Sequence, residues 1–193
     1  MEGRTSTLRC MTQLAEVSGR NRRFAEEGGY EGAVVVPRLR VAVIACLDPR
    51  VDPAHVLGLE LSEAIVIRNV GGRVTDEVVR ELVFLGVLAD TLMPGGEGPL
   101  FEIAVMHHTQ CGAGALADAG FRARYAERIG VEDPDALREG AVVDPVETVA
   151  ADVGKLLGAP QLKGRHPISG HVYDVTTGLV TTVCDESAVV APS

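Results

Sequence analysis

"AVIACLDPRVDP", residues 42–53, decides how the rest of the chain is read. It opens on an apolar run of β-formers and stops abruptly at Cys46, Asp48 and Arg50. Taken with the residues before it, the run 38–46 is a continuous strand pattern, of the kind buried on both faces of a parallel sheet. A buried strand that ends in a thiol and two opposite charges delivers chemistry to its C-terminal end. Further along, "EIAVMHHTQCGAGAL" (102–116) does the same: an apolar run ends in His107 and His108, and Cys111 follows. The two stretches have to be read together.

Working outward, the spacing predicts alternating strands and helices. Residues 8–29 have helical periodicity around Leu14, Val17 and Phe24, and the Ser18–Gly19 pair predicts a break into two short helices closed by Gly28–Gly29. Residues 53–59 read as a short helix and 63–69 ("EAIVIRN") as a second buried strand. Residues 75–90 form a helix that Thr75 or Asp76 can cap, with Val78, Val79, Leu82, Val83 and Leu85 on its apolar side. A third core strand covers 100–108, and 112–130 is mostly helix. Residues 131–147, rich in acid, Pro and Gly, read as loop, 144–158 as another helix, and 169–183 as a strand pair turning at Thr177–Gly178. The alternation predicts an α/β fold with a mostly parallel central sheet flanked by helices. One domain spans 1–193, a helical arm (1–35) preceding an α/β core (36–193). Ligands of such sheets bind beyond the C-terminal strand ends, which is where both cysteine clusters lie.

Composition bounds the function. At 193 residues, 46% hydrophobic and 23% charged, the chain suits an ordinary globular domain. A formal charge of −9 argues against nucleic acid or anionic membrane as partners. No apolar run approaches the ~20 residues that span a bilayer. "MEGRTSTLRC" lacks the apolar core of a signal peptide, so a cytoplasmic location is expected. In that reducing compartment Cys10, Cys46, Cys111 and Cys184 are poor disulfide candidates, and metal binding or catalysis is the better use of a cysteine at a strand end.

Cys46, His108 and Cys111 supply two soft thiolates and one imidazole. This set suits zinc and leaves a fourth position open. A single His-x-x-Cys is common by chance, and a core cysteine beside a hydrogen-bonded histidine explains either cluster alone. Two clusters at matching strand ends favour the metal. Successive strand residues point to opposite faces, so only one histidine easily faces the ion, and the spacing to Cys111 favours His108. Asp48 and Arg50 form either a surface ion pair or a pair that orients a metal-bound water.

Cys46-x-Asp48-x-Arg50 with His108-x-x-Cys111-Gly112 resembles the β-class carbonic anhydrases. "IVIRNVGG" (65–72) resembles that family's Arg-Asn-x-Gly stretch, and "NRRFAEEG" its N-terminal helix. Together with "HHT-CG" and "G-VYDV-TG", the pattern is most similar to the short actinobacterial and plant-like branch. The likeness covers roughly residues 14–116 by motif. It implies a Zn2+ ion on Cys46, His108 and Cys111, with Asp48–Arg50 as catalytic dyad and Asp48 a fourth ligand in a closed state. It also implies reversible hydration of CO2 to bicarbonate by zinc-bound hydroxide, and a homodimer or multiple of dimers in which N-terminal helices embrace the neighbour. The chain departs from the family at Ser62–Glu63, where Gly-Asp is frequent, and at Ala113, where a second Gly follows the cysteine. Ala113 can alter the shape of the pocket.

Two thiolates neutralise most of the zinc charge, so an acceptor that fixes the hydroxide proton gains importance, and Asp48, kept ionised by Arg50, can serve. His55 is a candidate for proton release. The close rival is hydrolysis of carbonyl sulfide or carbon disulfide on the same zinc. A rival of another class is a non-catalytic zinc or redox-sensing module in which Asp48 fills the fourth position permanently. A nucleotide-binding domain is set aside, because "NVGGR" lacks the G-x-G-x-x-G phosphate turn.

Overall fold

The computed structural model describes residues 3–93, 101–162 and 166–185, with side chains from residue 14 onward. The side chain of Cys10 and the predicted strand start at Leu100 lie outside the described residues. Contacts divide the chain into two units, Met1–Val35 and Val36–Ser193.

The first unit carries helix α1, Gly3–Glu26, as one continuous element. This corrects the expected pair of short helices. Glycine costs a helix interior only about 1 kcal/mol relative to alanine, too little at Gly19 to end a 24-residue helix, and a Glu16–Arg20 ion pair of 2.5 Å bridges the Ser18–Gly19 step. The predicted terminator works: a Cβ on Gly29 would lie 2.4 Å from the Phe24 ring.

The second unit is a five-stranded sheet in the order β2-β1-β3-β4-β5. The strands are β1 (Val41–Cys46), β2 (Ala64–Asn69), β3 (Glu102–His108), β4 (Ile168–Asp174) and β5 (Leu179–Asp185). The first four run parallel, and β5 returns antiparallel to β4 through the predicted turn at Thr177–Gly178. Interior β1 is buried on both faces: Ile44 joins the larger core with Val78, Leu82, Val105, Val149 and Leu156, while Val43 and Ala45 pack with Met106 on the other side. The expectation that 63–69 is buried does not hold. Among the described residues β2 is an edge strand that pairs only with β1, and Val66, on the face away from the larger core, is 40% exposed.

Helix α2 spans Pro53–Val56. Helix α3, Asp76–Leu92, is capped by the Thr75 side chain, which accepts from Val78 N–H. The segment after Cys111 is a 3-10 turn, Gly112–Ala117, before Asp118 caps helix α4, Ala119–Ile129. The expected loop 131–147 contains a further 3-10 segment, Pro134–Gly140. Helix α5, Pro145–Gly158, packs Val149, Val153 and Leu156 onto the sheet. Because β1 and β3 are parallel neighbours, with Ala45 opposite Met106, their C-terminal ends open onto the same edge.

Candidate metal centre

Cys46 and His108 are the last residues of β1 and β3, and both are buried. Gln110 takes a left-handed backbone conformation (φ 56°), which turns the loop so that Cys111 follows back toward the strand ends. One ligand atom from each of Cys46, His108 and Cys111 lies within 4.8 Å of the others, and the two Sγ atoms are 3.9 Å apart. His108 Nδ1–H donates to the Thr109 carbonyl at 2.9 Å. A carbonyl only accepts, so this bond fixes the tautomer and leaves Nε2 a bare acceptor. That Nε2 is buried and has no hydrogen-bond partner among the described residues.

The thiols complete the picture. A hydrogen bond from the Cys111 thiol, against the opposing effect of burial, lowers Cys46 to about 4, with further help from the neighbouring backbone at Asp48 and Gly71. Cys111 is pushed up, because its proton is held by the Cys46 thiolate and burial disfavours a second charge. Two sulfurs sharing one proton beside an unpartnered imidazole nitrogen are the donor set of a soft divalent ion, and the residues present fit zinc.

Asp48 and Arg50 face one another. Arg50 Nε and Nη2 donate to Asp48 Oδ1 and Oδ2 at 3.0 and 2.8 Å, and the Arg50 backbone N–H adds a bond of 2.9 Å. These bonds hold Asp48 down at about 2. Arg50 Nη2 also donates to the Gln110 carbonyl at 3.0 Å, tying the two ligand loops together. Asp48 stands outside the converging group of three. His55 is exposed, 3.7 Å from Asp52, and does not line the neighbouring cavity. That cavity, about 350 Å3, is bounded by Cys46, Asp48, Val70, Ala113, Leu116 and Tyr125, among others. Its walls are mostly apolar.

Several supporting residues escaped the sequence reading. Arg68 donates to the carbonyls of Cys46 (3.0 Å) and Asp48 (2.8 Å) and to Asp52 (2.7 Å), fixing the backbone that carries Cys46. Asn69 clamps the next turn, accepting from Arg73 N–H and donating to the Arg73 carbonyl, both at 2.8 Å. The "IRN" pattern was visible, but only the fold shows what each side chain holds. Arg73 forks onto Asp152 of α5, 79 positions away, a pairing with no local signal. His107 points away from the ligands, as alternation predicted, and donates from Nε2 to the Gly72 carbonyl at 3.2 Å.

Comparison with known proteins agrees with this geometry. Residues 41–131 match the family described as carbonic anhydrase. Beta-carbonic anhydrase 1 of Mycobacterium tuberculosis is 32% identical over 156 residues, 80% of this chain and 89% of that protein. A carbon disulfide hydrolase of Acidithiobacillus thiooxidans is 29% identical over 157 residues, 72% of this chain and 74% of the relative. Among solved structures, a carbonic anhydrase from Streptococcus mutans superposes with a TM-score of 0.71 at 33% identity, covering 89% of this chain and 97% of that one.

Proposed function

The chain belongs to the β-carbonic anhydrase family, and from that premise we propose that it hydrates CO2 reversibly to bicarbonate and a proton on a zinc ion held by Cys46, His108 and Cys111. The observation that carries the reading is the unpartnered, buried His108 Nε2 converging with two thiols, of which Cys46 lines a mostly apolar cavity. When bound, zinc supplies Lewis acidity, so that water becomes a usable nucleophile near neutral pH.

The protein supplies the rest. Val70, Leu116 and the aromatic rings of Phe121 and Tyr125 give a small linear apolar substrate a place beside the ligands and limit competing water. Asp48, kept ionised by Arg50, accepts the hydrogen bond that orients the attacking water's proton. Arg50 restrains the carboxylate from becoming a fourth ligand, which favours a catalytic centre over a permanently closed zinc or redox-sensing module. Carbonyl sulfide and carbon disulfide place the same demands on the donor set, and the likeness to a carbon disulfide hydrolase makes them the competing substrates.

Metal analysis of the purified protein should find about one zinc per chain, and Cys111→Ser should lose most of it. CO2 hydration should vanish with chelator and return with zinc, and parallel assays with carbon disulfide and carbonyl sulfide rank the substrates. Full zinc content in both Cys46→Ser and Cys111→Ser would sink the assignment.

The same reading covers assembly and location. Leu14, Val17 and Phe24 on α1 are 65%, 60% and 41% exposed, an apolar face suited to a second copy across a two-fold axis. Sedimentation should show a dimer or multiple of dimers, and a monomer at micromolar concentration contradicts it. Among the described residues no helix is long and apolar enough to cross a membrane; a cytoplasmic location is the setting in which these thiols stay reduced.

A further inference from the structure

Leu116 stands between two cavities. On one side is the cavity of about 350 Å3 beside Cys46, and on the other a larger one of about 870 Å3. Val70, Leu116 and Tyr125 line both. Val70 and Tyr125 are 51% and 39% exposed, whereas Leu116 is 7% exposed, so Leu116 is the buried part of the shared wall. The two spaces differ in character. Arg73, Asp76, Glu139 and Lys155 put charge along the larger cavity, while Asp48 is the charged residue lining the smaller one.

The wall is held from behind. Arg122 of α4 is buried, and its Nη1 donates to the Leu116 and Ala117 carbonyls, both at 2.9 Å. Its Nη2 donates to Asp135 Oδ1 at 2.6 Å. Asp135 belongs to the 3-10 segment Pro134–Gly140, whose last residue backs Leu116: a Cβ on Gly140 would lie 3.1 Å from Leu116 Cδ1. One guanidinium thus ties the main chain that carries Leu116 to the segment on which Leu116 rests. Arginine is a costly choice at this position. Its charge is desolvated, and its Nε is buried with no hydrogen-bond partner among the described residues. An apolar side chain would fill the space without that cost, so what arginine adds is fixed geometry.

We propose that Arg122 is a positioning residue for substrate selection: by tying the Leu116 and Ala117 carbonyls to Asp135 it holds Leu116 as a fixed wall between the two cavities. The inference rests on the reading that a small linear substrate occupies the cavity beside Cys46, and it assigns the choice among such substrates. With the tie cut, Leu116 and the 134–140 segment yield toward the larger cavity. The space beside Cys46 then widens and admits water from the charged side. CO2 loses contact there, while carbon disulfide, longer because sulfur is larger than oxygen, gains room.

The test uses zinc-loaded protein, with kinetics on both substrates and NMR of dissolved xenon, a probe that enters apolar cavities. Leu116→Ala enlarges the cavity outright and sets the reference change in the xenon signal. Arg122→Met should move that signal in the same direction and raise kcat/KM for carbon disulfide relative to CO2 about 10-fold, the low end for a change of one methylene in an apolar pocket. Adding Leu116→Ala to Arg122→Met should change little more, because both act on one wall. Should Arg122→Met fail to fold, Asp135→Ala decides in its place by cutting the tie at its exposed end, and should move both readouts the same way. An unmoved xenon signal in the folded variant overturns the proposal, as does an unchanged ratio where both substrates are turned over. Effects of Arg122→Met and Leu116→Ala that simply add overturn it too. Where one substrate or neither is turned over, the xenon signals decide alone, and turnover of neither by zinc-loaded wild type overturns instead the proposed function beneath it.

Discussion

Two aspartate–arginine forks of nearly the same geometry sit in opposite surroundings. Arg50 meets Asp48 through bonds of 3.0 and 2.8 Å, and Arg73 meets Asp152 through bonds of 2.7 and 3.0 Å. The side chains of the first pair are 48% and 15% exposed, those of the second 9% and 0%. Water reaches both partners of the first fork, so the pair is partly screened and adds little to stability. No solvent reaches Asp152. Burial alone would oppose its ionisation, yet the hydrogen bonds from His107, Arg73 and Val74 N–H outweigh it and hold the carboxyl below its usual range. Separating that pair strands a charge in the core. Near-identical forks thus leave one carboxylate within reach of solvent and bury the other; the difference is solvent access.

The sharpest way to break the comparison is at turnover. Arg50→Ala should abolish CO2 hydration while zinc stays bound, because the freed Asp48 becomes a fourth ligand. Asp48→Ala, which leaves the metal open, should lower turnover by a factor of about 10²–10⁴, the range for a positioned proton acceptor. Kinetics at equal zinc content check both, and equal rates in wild type and both variants remove the dyad from the mechanism. The next effect is on the buried fork. Asp152→Asn should cost about 3–5 kcal/mol in urea unfolding, the scale for breaking a buried ion pair. The sign with pH follows from the lowered Asp152. Its stabilisation is fully present above the usual carboxylate value of about 4 and is lost as pH falls from there through the folded value. The variant should therefore show a shallower loss of stability in acid than wild type. The smallest effect is the complement of the first: Arg50→Ala should leave the urea midpoint unmoved, and a large drop would place the two forks in one class.

The elements legible in the sequence are those whose signals are local. Strand ends at Cys46 and His108, the Thr75 cap and the Thr177–Gly178 turn each announce themselves within a few residues. Convergence of Cys46, His108 and Cys111 followed from parallel neighbours opening on one edge, a rule of topology that needs no side-chain detail. Strand order was not legible, so β2 was expected inside the sheet when it lies at its edge. The Ser18–Gly19 pair carried a real but small helix penalty, and the remaining turns outweighed it. Arg68, Asn69, Arg73 and Asp152 escaped for a common reason. Each acts on backbone or charge brought near only by folding, and nothing in a polar residue's own neighbourhood names its distant partner.

Gln110 has a consequence of this kind for mutational drift. Its side chain is exposed, donating to Thr176 at 3.3 Å, and by the usual rule such a position is free to vary. Yet its backbone stands at φ 56° between His108 and Cys111, and its carbonyl receives Arg50. The constraint on this codon therefore comes from the main chain. Glycine and asparagine are open to it because they tolerate the left-handed region, while valine, isoleucine and proline are closed, however harmless a solvent-facing side chain looks in an accessibility map.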